Sequence, residues 1–340
     1  MQNFFRSRRL HLNNRIWSAA VVAIALGMVG CSQSTSSSSN NNLPKVVATH
    51  SVLCDMTKAI AKDTVDLTCL IDPGEDAHVY KATPQDRKAI ETAQLILYGG
   101  YNFEPELIKI IKASNNSAVK VAVHEAAVPK PIMGEKHDHH DAKEKHESGE
   151  ISPDAHIWHN AQNGIRMVEI IREQLTKVAT TNFNVYAGNA HELTDELKQV
   201  DTWIKAQINT IPAKQRKLVT IHDALNYYAN AYGLTIEGAL QGLSTEEKPT
   251  AARLKELVTE IKKTGVPTIF AEVTANDKVI ATVAKEAGVK VDNQKLFVDS
   301  LGKLGSNGGT YIEMLTTNTC TITEGLGGKC TIFKSKKNKN

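Results

Sequence analysis

The chain has 340 residues, with 40 Lys and Arg against 37 Asp and Glu, a formal charge of +3. Residues 1–30 hold four arginines and no acids, so the remainder carries −1, and a nearly neutral body offers no electrostatic case for nucleic-acid binding. The remaining stretch of about 310 residues is too long for one simple core and predicts two domains.

Arg6, Arg8, Arg9 and Arg15 precede an apolar run from Trp17 to Val29. That run is about fourteen residues long, short of the roughly 20 that a spanning helix needs. A basic leader followed by a short apolar stretch reads as a secretory signal over 1–30. It ends in Met28-Val29-Gly30-Cys31, which resembles a bacterial lipobox with Met where Leu is usual, and so predicts a lipid on Cys31. Residues 31–43, rich in Ser and Asn, read as the lipidated flexible tether. Ser7-Arg8-Arg9 has something of a twin-arginine signal, and the sequence leaves the export route open. No later segment is apolar enough to cross a membrane.

From Pro44 short β-rich runs alternate with helical ones. Strands are predicted at Val46–Ala48, Val65–Ile71, Leu95–Tyr98 and Lys120–Val123, with helices at Val52–Ala61, Pro84–Thr92 and Pro105–Ala113. A polar stretch from His124 to Pro153 reads as a long loop, His-rich over 134–150. Ile165, Val168, Ile171, Leu175 and Val178 then mark one face of an amphipathic helix. Leu193, Leu197, Val200, Ile204 and Ile208 mark another, assigned to 183–211; a helix of roughly 25 residues spans about 38 Å at 1.5 Å per residue.

Beyond Pro212 the alternation restarts. Strands are predicted at Lys217–Ile221, Leu234–Glu237, Thr268–Ala271 and Leu296–Val298, and helices at Ala224–Ala231, Ala251–Lys263, Lys278–Ala287 and Tyr311–Thr321. The fold class is therefore α/β, with two (β/α) lobes of parallel sheet at 44–182 and 212–333. One long rigid helix joins them, and a basic tail follows at 334–340. A helical connector is stiff and predicts limited opening and closing. Besides Cys31 there are four cysteines, an even number in an exported chain. Cys54 with Cys69 and Cys320 with Cys330 would each close a short loop within one half, although buried free thiols also fit the sequence.

In open α/β sheets ligands bind beyond the carboxyl ends of the strands. The metal-capable side chains there are His78, after the strand at 65–71 and its Pro-Gly turn, His222 and Asp299 at two strand ends, and His156 just before a helix. Two come from each half, so together they could close a site in the cleft between the lobes. Three imidazoles and a carboxylate suit a borderline-soft divalent cation. Four protein ligands leave no open position for an activated water, and neither HExxH nor GxSxG occurs, so a metallohydrolase is the weaker reading and no catalytic residue is assigned. His137, His139, His140 and His146 make the polar loop a possible accessory, low-affinity metal tract. Glu272, at a strand end, could orient a ligand histidine. His159 and His50 carry weaker metal readings, and His124 and His191 carry no supporting pattern.

The segments Gly74-Glu75-Asp76-Ala77-His78-Val79-Tyr80, Asp154-Ala155-His156-Ile157-Trp158, Thr220-Ile221-His222-Asp223 and Phe297-Val298-Asp299-Ser300-Leu301 resemble those of the zinc/manganese-specific substrate-binding lipoproteins of bacterial ABC importers. The resemblance covers roughly Lys45 to Gly327; Ala77 and Ala155 depart from it, standing where Pro is common. It implies two α/β lobes bridged by a long helix and a ligand set of His78, His156, His222 and Asp299. His222, where manganese-selective members often have Glu, favours Zn2+ over Mn2+. The implied function is extracytoplasmic capture of zinc, with manganese as the alternative, for delivery to an ABC permease in the cytoplasmic membrane. The implied state is a lipid-anchored monomer on the outer, periplasmic face of that membrane. A surface adhesin or metal buffer is a further alternative.

Overall fold

The computed structural model describes residues 43–135, 151–246 and 248–336. Cys31, His137, His139, His140 and His146 lie outside the described residues. The first half runs β1 (Lys45–Ala48), α1 (Ser51–Ala61), β2 (Asp66–Cys69), α2 (Pro84–Thr92), β3 (Leu95–Tyr98), α3 (Pro105–Ala113), β4 (Val119–Ala122) and α4 (Val123–Ala127). Its four strands are parallel in the order β2-β1-β3-β4, with Val46 opposite both Leu67 and Leu95. Val46, Val47, Leu95, Ile96 and Leu97 are buried, as expected of central strands covered on both faces. Thr83 and Asp86 close a reciprocal capping box on α2, and Pro84 fits its first turn.

The stretch expected to be one long loop is structured at both ends. Val123 leaves the predicted strand to open α4, where the His124 N–H donates to the Gly99 carbonyl. Further on, β5 (Met133–Glu135) and β6 (Ile151–Pro153) form an antiparallel pair. Then come α5 (Ala161–Val178) and α6 (Phe183–Ile208). α6 has 26 residues, about 39 Å, and buries Tyr186, Ala190, Leu197, Val200, Ile204 and Ile208. It stops short of the expected Ile211, because Thr210 and Ile211 turn back onto Gln207 and Ile208 through three-residue hydrogen bonds. α6 packs against α1 and α5 on one side of the cleft and α10 (Tyr311–Gly325) on the other.

The second half runs β7 (Lys217–His222), α7 (Asn226–Tyr232), β8 (Thr235–Gln241), α8 (Ala251–Thr264), β9 (Thr268–Ile269), α9 (Asp277–Ala287) and β10 (Lys290–Val291) before α10. β7 pairs with β8 and β9 with β10, all parallel, and the Phe270 N–H donates to the Val219 carbonyl to join the two pairs. Val219, Ile221, Leu257, Ile261, Ile269, Ile280 and Val283 form this lobe's own core. β8 runs past the expected Glu237 to Gln241, and α7 begins at Asn226 after a turn at Ala224. The predicted strand Leu296–Val298 is reduced to a bridge between Leu296 and Glu272. The reason is local: the Asn318 side chain takes both the N–H and the carbonyl of Phe297, and Trp158 and His159 take the Val298 carbonyl.

Disulfides join Cys54 to Cys69 and Cys320 to Cys330. The second holds the C-terminal strap over α6, where Trp203 donates to the Thr331 carbonyl and the Thr331 N–H donates to Gln207. Among the described residues no helix is long and apolar enough to cross a membrane.

Candidate metal centre

His78, His156, His222 and Asp299 converge, each offering one ligand atom, with those atoms all within 4.8 Å of one another. Oδ1 of Asp299 is the focus: it lies 3.1 Å from Nε2 of His222, 3.2 Å from Nε2 of His156 and 3.6 Å from Nε2 of His78. Nε2 of His78 and His156 are 3.2 Å apart. β7 delivers His222 at its carboxyl end, and Asp299 follows the bridge at Leu296. His78 lies within the loop between β2 and α2, and His156 caps a single turn at Ile157–His159.

The two lobes orient their imidazoles by the same device. Nδ1 of His222 lies 2.5 Å from Oε2 of Glu272, whose Oε1 accepts the N–H groups of Ile221 and His222. Nδ1 of His156 lies 2.8 Å from Oδ1 of Asp154, which also accepts the His156 N–H. With Nδ1–H committed to a carboxylate, Nε2 is the nitrogen presented to the centre. Asp154 is held in turn by Asn226. This role for Asp154 was missed in the sequence, although its signal was there: Asp-Ala-His occurs twice, at 76–78 and 154–156.

All four groups are buried, and His78, at 6 % exposure, is the most open of them. At His156, His222 and Asp299 burial opposes charge, yet the neighbouring groups of opposite sign prevail. His156 is held up at about 9 by its hydrogen bonds with Asp154 and Asp299. His222 is raised well above the ordinary imidazole range by Asp299 and Glu272. Asp299, against its own burial, is held well below the usual carboxylate range by His222 and by hydrogen bonds from the imidazoles. The cluster thus concentrates nitrogen donors around one ionised oxygen, a set suited to a divalent cation of borderline softness. A groove of about 780 Å³, lined by α2, α3 and Glu246, reaches the cluster at His78.

Other sequence candidates fall elsewhere. His159 is buried with Nε2 3.0 Å from the Val298 carbonyl, outside the group of four, and burial pushes it down to about 3. His191 is exposed on α6 beside Asp195. His50 and His124 form a separate buried pair with Nε2 atoms 3.2 Å apart. Phe103 separates them from the cluster, its ring packed edge-on to His50, His78 and His156. Next to them Glu104 accepts from Thr49 and from the Gly99 N–H, and burial raises it to about 7. Nothing in the sequence links residues so far apart in the chain; the adjacency of β1, β3 and β4 brings them together.

Residues 46–325 match the family model for ZnuA, the periplasmic zinc-uptake complex component A. The manganese ABC transporter substrate-binding lipoprotein PsaA of Streptococcus pneumoniae is 31 % identical over 314 residues, covering 91 % of this chain and 97 % of PsaA. The manganese-binding lipoprotein MntA of Bacillus subtilis is 32 % identical over 313 residues, covering 91 % and 98 %. Among solved structures, the periplasmic zinc-binding protein TroA of Treponema pallidum superposes with a TM-score of 0.75 at 29 % identity, covering 84 % of this chain and 99 % of TroA.

Proposed function

The chain belongs to the ZnuA family of periplasmic metal-uptake components, the substrate-binding proteins of ABC transporters, and on that premise we propose that it captures zinc and hands it to its permease. The observation that carries the reading is three imidazole Nε2 atoms gathered around one oxygen of Asp299. His78, His156, His222 and Asp299 hold the ion on this reading, with Glu272 and Asp154 fixing two of the imidazoles. Because cargo must leave again, two ligands from each lobe is a sensible division: parting the lobes halves the coordination. The task is capture and delivery rather than catalysis.

We place the protein outside the cytoplasm as a lipoprotein serving an ABC transporter: its family is described as periplasmic, PsaA is named an ABC transporter substrate-binding lipoprotein and MntA a lipoprotein. We assign the lipid to Cys31, and the working unit to a monomer docking on a permease in the cytoplasmic membrane. The His-rich residues 137–146 would serve as a loose accessory collector.

A manganese receptor is the second reading, favoured by the names of PsaA and MntA. The donor set supports zinc: three nitrogens and one carboxylate form a softer environment than manganese prefers. Competition settles it. Purified protein stripped of metal and dialysed against equal zinc and manganese should retain one zinc per chain by elemental analysis. Retained manganese would establish the second reading. Undiminished binding after His78→Ala and His222→Ala together would overturn the ligand set.

A further inference from the structure

The repeated Asp-Ala-His motif is used in two different ways. In both copies Oδ1 of the aspartate accepts the histidine N–H, at 2.9 Å in each. Asp154 additionally reaches Nδ1 of its histidine. Asp76 does not: among the described residues nothing bonds to Nδ1 of His78, whose ring meets only His156, Asp299 and the neighbouring rings of Phe103 and His222. Instead, Oδ2 of Asp76 accepts a 2.6 Å hydrogen bond from the Thr245 hydroxyl, which belongs to the other lobe.

Thr245 is tied to the element that carries His222. Its carbonyl accepts from the Gln241 side chain, and the Gly242 carbonyl accepts from the Asp223 N–H. The bond therefore links the His78 loop to the end of β7 without passing through the ion. A second grip lies on the same loop, where the Gly74 N–H donates to Ser300, the neighbour of Asp299. Glu246, next to Thr245, lines the groove that opens on His78. His78 is thus the most exposed ligand, lacks a carboxylate on its second nitrogen, and faces the way out.

We propose that the Thr245–Asp76 hydrogen bond is a latch that governs how fast bound metal leaves, by keeping His78 seated from across the cleft. Thr245 and Asp76 are positioning residues and never touch the ion. The proposal rests on the metal-binding reading above. Losing the bond leaves the His78 loop held across the cleft by the Gly74–Ser300 bond alone, which loosens His78 and shortens the residence time of the ion. It leaves the approach along the groove unaltered.

The test is stopped-flow zinc release from the full protein loaded with one equivalent of zinc, trapped by excess chromophoric chelator. T245V should release zinc about tenfold faster, the scale of one charge-assisted hydrogen bond, with its association rate within about twofold of the parent. T245S, which keeps the hydroxyl, should release at the parent rate. T245A is the second hydroxyl-free variant, with the same acceleration expected should T245V not fold. Parent-like release from a hydroxyl-free variant that binds zinc overturns the latch and leaves the zinc reading standing. An equal loss in association rate would also overturn it, since that marks general disruption of the site. A parent protein that takes up no zinc overturns both.

Discussion

Glu272 holds His222 twice over: Oε2 meets Nδ1 of the ring at 2.5 Å, while Oε1 accepts the His222 N–H at 3.1 Å. One buried side chain therefore fixes both the backbone and the ring of a ligand, and decides which nitrogen faces the centre.

Glu272→Gln preserves the acceptor for the backbone but presents an amide to Nδ1. The imidazole proton then moves to Nε2, the atom that must coordinate. Zinc affinity should fall ten- to a hundredfold, the usual effect of removing such an outer partner. Chelator competition measures it, and an unchanged affinity would remove Glu272 from the site's design.

Metal should stabilise the fold by mass action. At free zinc a hundredfold above the dissociation constant, unfolding should cost about 2.7 kcal/mol more than in the stripped protein. His78→Ala should abolish that gain while barely changing the stripped protein. Among the described residues His78 is the one ligand imidazole of the three without a carboxylate on Nδ1, so its loss strands no carboxylate of that kind. Thermal or urea unfolding with and without zinc reads both.

Glu104 gives the stability curve a pH signature. Burial lifts its folded value to about 7, above the ordinary 4.5, so the folded chain keeps the proton that the unfolded chain has lost. The stabilisation from that proton is complete below 4.5 and is lost as pH rises through about 7. Relative to Glu104→Gln, the parent should lose roughly 3 kcal/mol of stability across that interval and nothing further above it. His50, lowered to about 3, and His124 act with the opposite sign, but both are present in each protein and cancel in the difference. A flat difference in urea unfolding between pH 5 and pH 8 would contradict this account.

Cys330→Ser should release the C-terminal strap. Closing a loop of ten residues constrains the unfolded chain, and losing that closure should cost about 2 to 3 kcal/mol. Trp203, whose indole donates to Thr331 and packs on Phe333, should then report a more exposed environment by fluorescence. A spectrum identical to the parent's would mean the strap stays seated by hydrogen bonds alone.

The two βα halves were legible because parallel strands buried on both faces leave runs such as Leu95-Ile96-Leu97 that polar loops interrupt. The convergence of His78, His156, His222 and Asp299 was foreseeable from their places after strands and before a turn. The Leu296–Val298 segment misled, because pattern records apolarity and cannot record that Asn318 will occupy the backbone groups a ladder needs. The His50–His124 pair was hidden for a different reason. Strand order, not spacing, makes β1 and β4 neighbours of β3, and a single sequence does not state strand order. The Thr245–Asp76 bond was hidden likewise, since it depends on how two lobes meet.

α6 is gripped along its length, by α1, α5 and α10 through packing and by the strap at Thr331 and Lys336 through Trp203, Gln207 and Gln199. A rod held from both sides resists bending, so the stiffness of this connector comes from its neighbours on each flank as well as from its own ladder of hydrogen bonds.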